Sequence, residues 1–416
     1  MVEIRPFKAI RPNEKVAEKV AELPYDAVDS KEAKEYAKGN PYSYFHIDKA
    51  EIDLPSDLLP NNPKIYQKAA ENLSKFLENG WLMKEDTPCY YLYQLTMGEK
   101  KQTGLVVCTS IDDYIDEKIK KHEYTRLEKE RDRISHIEAC DANTSPIFLT
   151  YRFEEKLQEI IVNWQQRHAP IYDFTRYYEV RHEVWVINEP KIINEITKIF
   201  ANISALYIAD GHHRTESAVK VGLKKREEQK ESLESNYFAS ILFPSDELTI
   251  LEYNRLLDVP IPNDFLERLA KNFVVVESKE KKPQKSGELV MYLKGKWYQL
   301  MIKPEKRSAD LVKKLDVSFL QENVFAPIFG INDVRTDERI DFVGGIRGPE
   351  ELANRVDKGE ATLAFIMYPT QMKDLLKVAD AKKIMPPKST WFEPKLLSGL
   401  FLHDLETKKR HNFLEK

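Results

Sequence analysis

The chain has 416 residues, 42% of them hydrophobic and 32% charged, which is too long for one small core and points to two or three domains. Its 64 basic and 68 acidic residues leave a net charge of −4, without the basic excess of nucleic-acid binders, so nucleic acid is not an expected partner. No apolar run approaches the length of a membrane span and the N-terminus lacks a signal-peptide core, so a soluble cytoplasmic protein with no membrane partner is expected.

Three cysteines, Cys89, Cys108 and Cys140, are scattered and form no CxxC, which suits reduced thiols better than a disulfide framework. Near the N-terminus a helix is expected over 14–22 from apolar residues at three-to-four spacing. In AELPYDAVDS, Asp26 follows Pro24-Tyr25 and is a candidate carboxylate base. In GNPYSYFHID, Tyr42, Tyr44 and Phe45 read as packing residues ahead of His46. A second helix is expected over 63–79. Strands at 90–96 and 103–109 flank Gly98 and read as a β-hairpin.

The stretch from Lys118 to Tyr151 interleaves Lys120, Lys121, His122, Arg126, Arg131 and Arg133 with Glu123, Glu130 and Asp132. By composition it suits a solvated helix with i,i+4 ion pairs. It also ends in Asn143-Thr144-Ser145-Pro146 against an apolar strand at 146–151, an edge where polar groups face ligands. On that second reading His122, Thr125, Arg126 and Arg133 are candidate contacts for a substrate phosphate or carboxylate. A strand at 182–187 and a helix at 187–201 follow.

A strand at 205–208 then runs into Asp210-Gly211-His212-His213-Arg214, and a helix is expected over 214–231. Gly211 permits a tight turn. A helix start presents unpaired backbone N–H groups and a positive dipole end, which bind phosphate. Arg214 adds a planar cation suited to phosphate oxygens, and Thr215 falls in the first helical turn. His212 and His213 supply imidazoles for proton transfer, and Asp210 is a candidate Mg²⁺ ligand. The unit reads as a phosphate-binding turn. A zinc site is the weaker alternative, because adjacent histidines point to opposite sides of an extended chain and no HExxH or CxxC supports them.

After a strand at 237–243, two prolines and a fresh helix start at 263–271 set a domain boundary near 250–260. The expected domains are 1–255 and 256–416, the second contributing MPPKSTWFEPK. Strands are expected at 272–277, 288–293, 297–302 and 362–367. The charged segment 277–288 suits a hairpin connection or a domain linker. VGGIRG at 343–348 does not follow the GxGxxG pattern and is discounted as a dinucleotide signal. Near the C-terminus, Lys388-Ser389-Thr390 offers a cation and two hydroxyls, candidate substrate contacts, and Lys395 follows Pro394. The order resembles the end of a Walker A loop, but its glycines are missing, so a P-loop is rejected. A buried C-terminal core segment around Trp391 and Phe392 is the competing reading. Helices and strands interleave throughout, so a mixed α+β fold is expected.

The strings KKHEYTR, DRISHI, ANTSPIF, YIADGHHRTESA, ILEYNR and MPPKSTWFEPKLLSGL together resemble the DUF1015 family, from RPFKAIRP to LSGL. The DGHHR segment also resembles the signature of ParB- and sulfiredoxin-like folds, with Gly211, His213, Arg214 and Ser217-Ala218 in comparable places and Ala218 one position later than the usual alanine. Free-serine kinases of that superfamily have a similar D-G-H-x-R stretch. The resemblance implies a ParB/sulfiredoxin-like nucleotide-binding core with an additional α/β C-terminal domain. It implies a kinase that uses ATP or ADP with Mg²⁺ to phosphorylate the hydroxyl of free L-serine. Asp210 would hold the metal. Gly211, His213, Arg214 and Thr215 would hold the phosphates. Asp26, Asp210, His212 and His213 would act in catalysis. Two other functions stay open: a phosphatase or nucleotide hydrolase on the same turn, and a non-enzymatic nucleotide-binding regulator. ATP or ADP as donor, serine or another small hydroxylated substrate, Asp26 or Glu123 as base, and the oligomeric state also stay open.

Overall fold

A computed structural model describes residues 1–230 and 232–407. The chain divides into two compact units. The first comprises residues 1–120, 125–247 and 394–416, and the second 121–124 and 248–393. Both mix helices with sheets.

The first unit is built on a nine-stranded sheet: β1 (Ile4–Arg5), β2 (Tyr90–Met97), β3 (Lys100–Ser110), β4 (Ile119–Lys120), β5 (Ile147–Tyr151), β6 (Tyr172–Arg176), β7 (Val180–Ile187), β8 (Leu206–Asp210) and β9 (Tyr237–Pro244). Its order is β4-β8-β5-β9-β3-β2-β7-β6, with β1 added to β3. The β2–β3 hairpin closes with Met97 opposite Lys100, and Gly98 takes φ +61° in the turn. β8 runs parallel to β4 and antiparallel to β5, whereas β9 is parallel to β5. Strands buried on both faces need continuous apolar runs, and YYLYQ, LVVC and SILF supply them: Tyr90 to Tyr93, Leu105 to Cys108 and Ser240 to Phe243 are all fully buried.

Five helices of this unit matter: α1 (Pro63–Glu78), α2 (Leu127–Cys140), α3 (Glu155–Arg167), α4 (Pro190–Phe200) and α5 (His212–Glu227). Asn62 caps α1, accepting from Lys64 N–H at 3.0 Å, with Pro63 at the first helical position. α2 packs along α5. Leu157 and Ile161 of α3, and Ile196 and Phe200 of α4, join the sheet's core. A short pair, Ile10–Pro12 with Leu82–Lys84, and another, Ala142–Asn143 with His403–Asp404, complete the unit.

The second unit holds β10 (Thr249–Leu251), β11 (Tyr253–Leu257), β12 (Phe273–Glu277), β13 (Glu288–Leu293), β14 (Lys296–Ile302), β15 (Ile340–Gly344), β16 (Leu363–Ile366) and β17 (Trp391–Glu393). Six of them form an antiparallel sheet in the order β12-β14-β13-β16-β11-β15, and β10 pairs with β17. Its core gathers Leu256, Val290, Val343, Leu352, Ala364 and Ile366.

Three sequence expectations differ from this arrangement. The segment 277–288 is neither hairpin nor domain linker, because β12 and β13 lie on opposite sides of β14 in one sheet. The helix expected over 14–22 shrinks to Ala17–Val20, since Ala21 is extended and Glu22 pairs in backbone fashion with Ser398. The compact units part at 247/248, and residues from 394 onward return to the first unit, because Leu402 bonds Ile10 and His403 pairs with Asn143. The α5 region was expected to reach 231; the helix ends at Glu227 and residue 231 lies outside the described residues, as do 408–416.

No described helix is long and apolar enough to cross a membrane. The three cysteines are buried and form no disulfide.

Candidate functional site

The apolar strand β8 delivers the polar turn. Its pairing with β5 shifts register between Ile208 and Asp210. Such a bulge re-aims the side chain that follows, and here it is Asp210, the one residue of the strand that is not buried. Gly211 then takes φ +98°. A Cβ at that position would lie 3.0 Å from Arg214 Nε, so glycine serves both the left-handed turn and the close approach of the guanidinium. α5 starts at once, with His212, His213 and Arg214 in its first turn, where backbone N–H groups have no intrahelical partner.

Asp210 receives a hydrogen bond from Lys395 Nζ at 3.3 Å. Burial pushes the Asp210 carboxyl up, but Lys395, Arg214 and His212 outweigh it and hold the group well below the usual carboxylate range. Arg214 is 9% exposed. Its Nη1 donates to Pro146 C=O at 2.7 Å, and its Nε is buried with no hydrogen-bond partner. Burial opposes its charge, while Asp26 and Asp210 stabilise it. Asp26 itself is exposed, in the turn after Tyr25.

Beside Arg214 lies a small pocket lined among others by Tyr25, Arg133, His136, Thr144, Ser145 and Arg214. Three of these lining residues, Arg133, Thr144 and Ser145, bond to Asp48, which is 3% exposed. Asp48 accepts from Ser145 Oγ at 3.0 Å, and from Thr144 Oγ1 and Arg133 Nη1 at 3.4 Å each. Arg133 also donates to Asp132 at 2.8 Å. Burial and then the Arg133 charge push His136 below its ordinary value, and its Nε2 lies 2.9 Å from Ile47 C=O. A neutral imidazole there donates through Nε2. Two buried guanidiniums, Arg133 and Arg214, line one small pocket, and planar cations of this kind suit carboxylate and phosphate oxygens.

The sequence-selected residues fall into three groups. Asp210, Gly211, His212, Arg214, Arg133 and Asp26 stand at the turn or pocket. His213, Thr125 and Arg126 adjoin through one contact: Arg126 N–H donates to His213 Nε2 at 3.0 Å. Thr125 Oγ1 donates a hydrogen bond to Glu130, and Thr215 Oγ1, fully buried, donates one to Gly211 C=O at 3.0 Å. Lys388, Ser389, Thr390 and His122 belong to the second unit. There Ser389 Oγ donates to Pro386 C=O at 2.5 Å, Lys388 Nζ lies 5.2 Å from the centre of the Tyr253 ring, and His122 C=O accepts from Met385 N–H at 2.8 Å. The reading of α2 as a solvated helix does not hold for its inner face, since Glu130, Arg133 and His136 are buried.

The sequence reading passed over Asp48 and Glu22. Glu22 is fully buried and accepts from Ser43 Oγ at 2.7 Å, Arg176 at 3.0 Å and the Tyr177 hydroxyl. An acid at the end of an apolar turn, Phe45-His46-Ile47-Asp48, was the available signal. His46, which drew attention instead, is bound to Asp53 at 2.8 Å.

The family described as "Protein of unknown function (DUF1015)" matches residues 4–318, well over half of the chain, and the chain belongs to that family. The matched span stops short of the C-terminal MPPKSTWFEPKLLSGL string. No curated protein matches. Among solved structures, a free serine kinase in complex with AMP is similar at 15% identity and TM-score 0.36, covering 71% of this chain and 92% of its own. A conserved hypothetical protein from Pyrococcus furiosus shows 14% and 0.34, covering 71% and 95%. SbnI with a C-terminal truncation, from Staphylococcus aureus, shows 13% and 0.40, covering 73% and 89%.

Proposed function

We propose that the protein is a cytoplasmic phosphotransferase that moves a phosphoryl group from ATP or ADP to the hydroxyl of free L-serine, giving O-phospho-L-serine, on a ParB/sulfiredoxin-like core. The observation that carries this reading is the turn from β8 into α5. It sets a buried guanidinium with an unpartnered Nε, Arg214, against an ionised carboxylate, Asp210, at the positive end of a sixteen-residue helix. Phosphoryl transfer asks mainly for positioning and charge neutralisation, and this turn supplies both.

In this reading the first-turn N–H groups and Arg214 hold the donor phosphates. The serine carboxylate enters the pocket beside Arg133. The serine oxygen bonds to phosphorus as the bond to the nucleotide's leaving oxygen breaks, and that oxygen keeps the electron pair. The hydroxyl proton passes to a carboxylate, for which Asp26 is the candidate, exposed yet close enough to Arg214 to stabilise its charge. Mg²⁺ binds through one or two carboxylates together with substrate phosphates. Asp210, ionised at the same turn, fits that requirement and would hold the ion, which supplies charge neutralisation when bound.

The test is incubation of the purified protein with L-serine, Mg²⁺ and either ATP or ADP, with product analysis. O-phosphoserine that disappears in Asp210→Ala supports the reading. Inorganic phosphate in its place makes the protein a hydrolase, and bound but unconverted nucleotide makes it a regulator.

A further inference from the structure

We propose that Lys395 is a phosphate-contacting residue of the β8–α5 turn, an inference that rests on the phosphotransferase reading. Lys395 lies beyond the span matched by the family. It reaches the turn because the C-terminal segment folds back onto the first unit. Its ammonium, 14% exposed, stands 3.3 Å from Asp210, on the same carboxylate that Arg214 faces.

A simple anchoring role does not account for this lysine. The returning segment is already held by backbone bonds, Ser398 N–H to Glu22 C=O at 2.8 Å and Leu402 N–H to Ile10 C=O at 2.8 Å. Leu396, Leu397, Leu400, Phe401 and Leu402 are all buried. Adding a mostly buried lysine side chain to a segment that is fixed without it incurs a desolvation penalty. A cation in that position neutralises phosphoryl oxygens arriving at the helix start, where charge-assisted bonds are strongest. Asp210 keeps the ammonium aimed at that point. Lys395 and Arg214 then approach the same oxygens from two sides, one a point charge and the other a planar fork.

The experiment is calorimetric titration of the full chain with ADP and with inorganic pyrophosphate, without Mg²⁺, for wild type, Lys395→Met and Lys395→Arg. Circular dichroism and the thermal midpoint serve as controls of folding. The expected result is that Lys395→Met, still folded, binds both ligands about 10- to 100-fold more weakly, as loss of one charged hydrogen bond predicts, and that Lys395→Arg recovers most of the loss. A structural role alone would lower the thermal midpoint and leave pyrophosphate affinity unchanged. A folded Lys395→Met with wild-type affinity overturns the inference and leaves the phosphotransferase reading standing. A wild type that binds neither ligand removes both. Should Lys395→Met fail to fold, Lys395→Gln decides, because it removes the charge but keeps a hydrogen-bond donor beside Asp210. A tenfold or greater loss of pyrophosphate affinity then supports the inference, and wild-type affinity overturns it.

Discussion

The guanidinium carbon of Arg133 stands 3.9 Å from the centre of the Tyr25 ring. That stacking ties helix α2 to the loop carrying Asp26, while the same guanidinium reaches down to Asp48. One arginine therefore links a pocket-lining ring to the buried carboxylate of Asp48. Removing it leaves Asp48 buried with only the hydroxyls of Thr144 and Ser145 for compensation.

Arg133→Met is accordingly expected to destabilise the first unit by about 3 kcal/mol, the scale for breaking a buried pair from one side. Adding Asp48→Asn should recover part of that loss, since the uncompensated charge is then gone. Urea unfolding of the two single variants and the double variant measures the coupling. In the phosphotransfer assay the KM for serine should rise in Arg133→Met more than kcat falls.

Gly211→Ala meets two obstacles. An L-residue at φ +98° is strained, by about 1–2 kcal/mol. Its Cβ also sits 3.0–3.2 Å from the guanidinium of Arg214, which Pro146 C=O anchors from the other side. The variant should fold with a modest loss of stability and a larger loss of pyrophosphate affinity, because the displaced group is the one that holds phosphate in the phosphotransferase reading. Denaturation and calorimetry on the same preparation separate the two effects.

Asp316 supplies a pH dependence. It is 8% exposed and accepts Gly287 N–H at 2.9 and 3.0 Å. Burial pushes its carboxyl up to about 6, above the value of an unfolded aspartate, about 3.9. Between those values the folded state binds more protons than the unfolded one. Asp316's contribution to the stability of the second unit is therefore greatest below pH 4 and is lost as pH rises through 6. Asp316→Asn should flatten this segment of the pH profile and gain about 1–3 kcal/mol over wild type at pH 7.5, with little gain at pH 4. Unfolding midpoints at four pH values read the difference directly.

Gly344 belongs to VGGIRG, and its role is steric. A Cβ there would lie 2.4 Å from Trp391 Cε2, and the indole is fixed by its bond to Glu393 at 2.7 Å and by edge contact with Tyr253. Gly344→Ala should cost about 1–3 kcal/mol through overpacking, with a changed near-UV signal from Trp391. A wild-type spectrum and midpoint would count against the packing account.

Much of this architecture was readable along the chain. Strands β2, β3, β5, β7, β8 and β9 announced themselves as apolar runs, and the β2–β3 hairpin did so through Gly98, whereas the two-residue β4 and the polar β6, YDFTR, did not. α1, α4 and α5 showed their helical spacing. The β8–α5 turn was legible because its signals are local: an apolar strand, a glycine, then polar residues at a helix start. Asp48 and Lys395 were harder. Asp48 meets Ser145 across 97 positions and Lys395 meets Asp210 across 185, and no local pattern encodes such closures. The 277–288 segment misled for the same reason, since which strand pairs with which depends on the whole sheet.

The sequence by itself determined many local conformations: period and propensity set the apolar strands and the longer amphipathic helices, and Gly211 set the left-handed turn into α5. It also carried the family strings, which depend on residue order alone. Only the tertiary structure decided sheet order, the return of the C-terminal segment to the first unit, and the meeting of Arg133, Arg214, Asp48 and Lys395 around one pocket and turn. Those meetings require long loops to close and distant apolar faces to be buried together, and that free energy belongs to the assembled core rather than to any window of the chain.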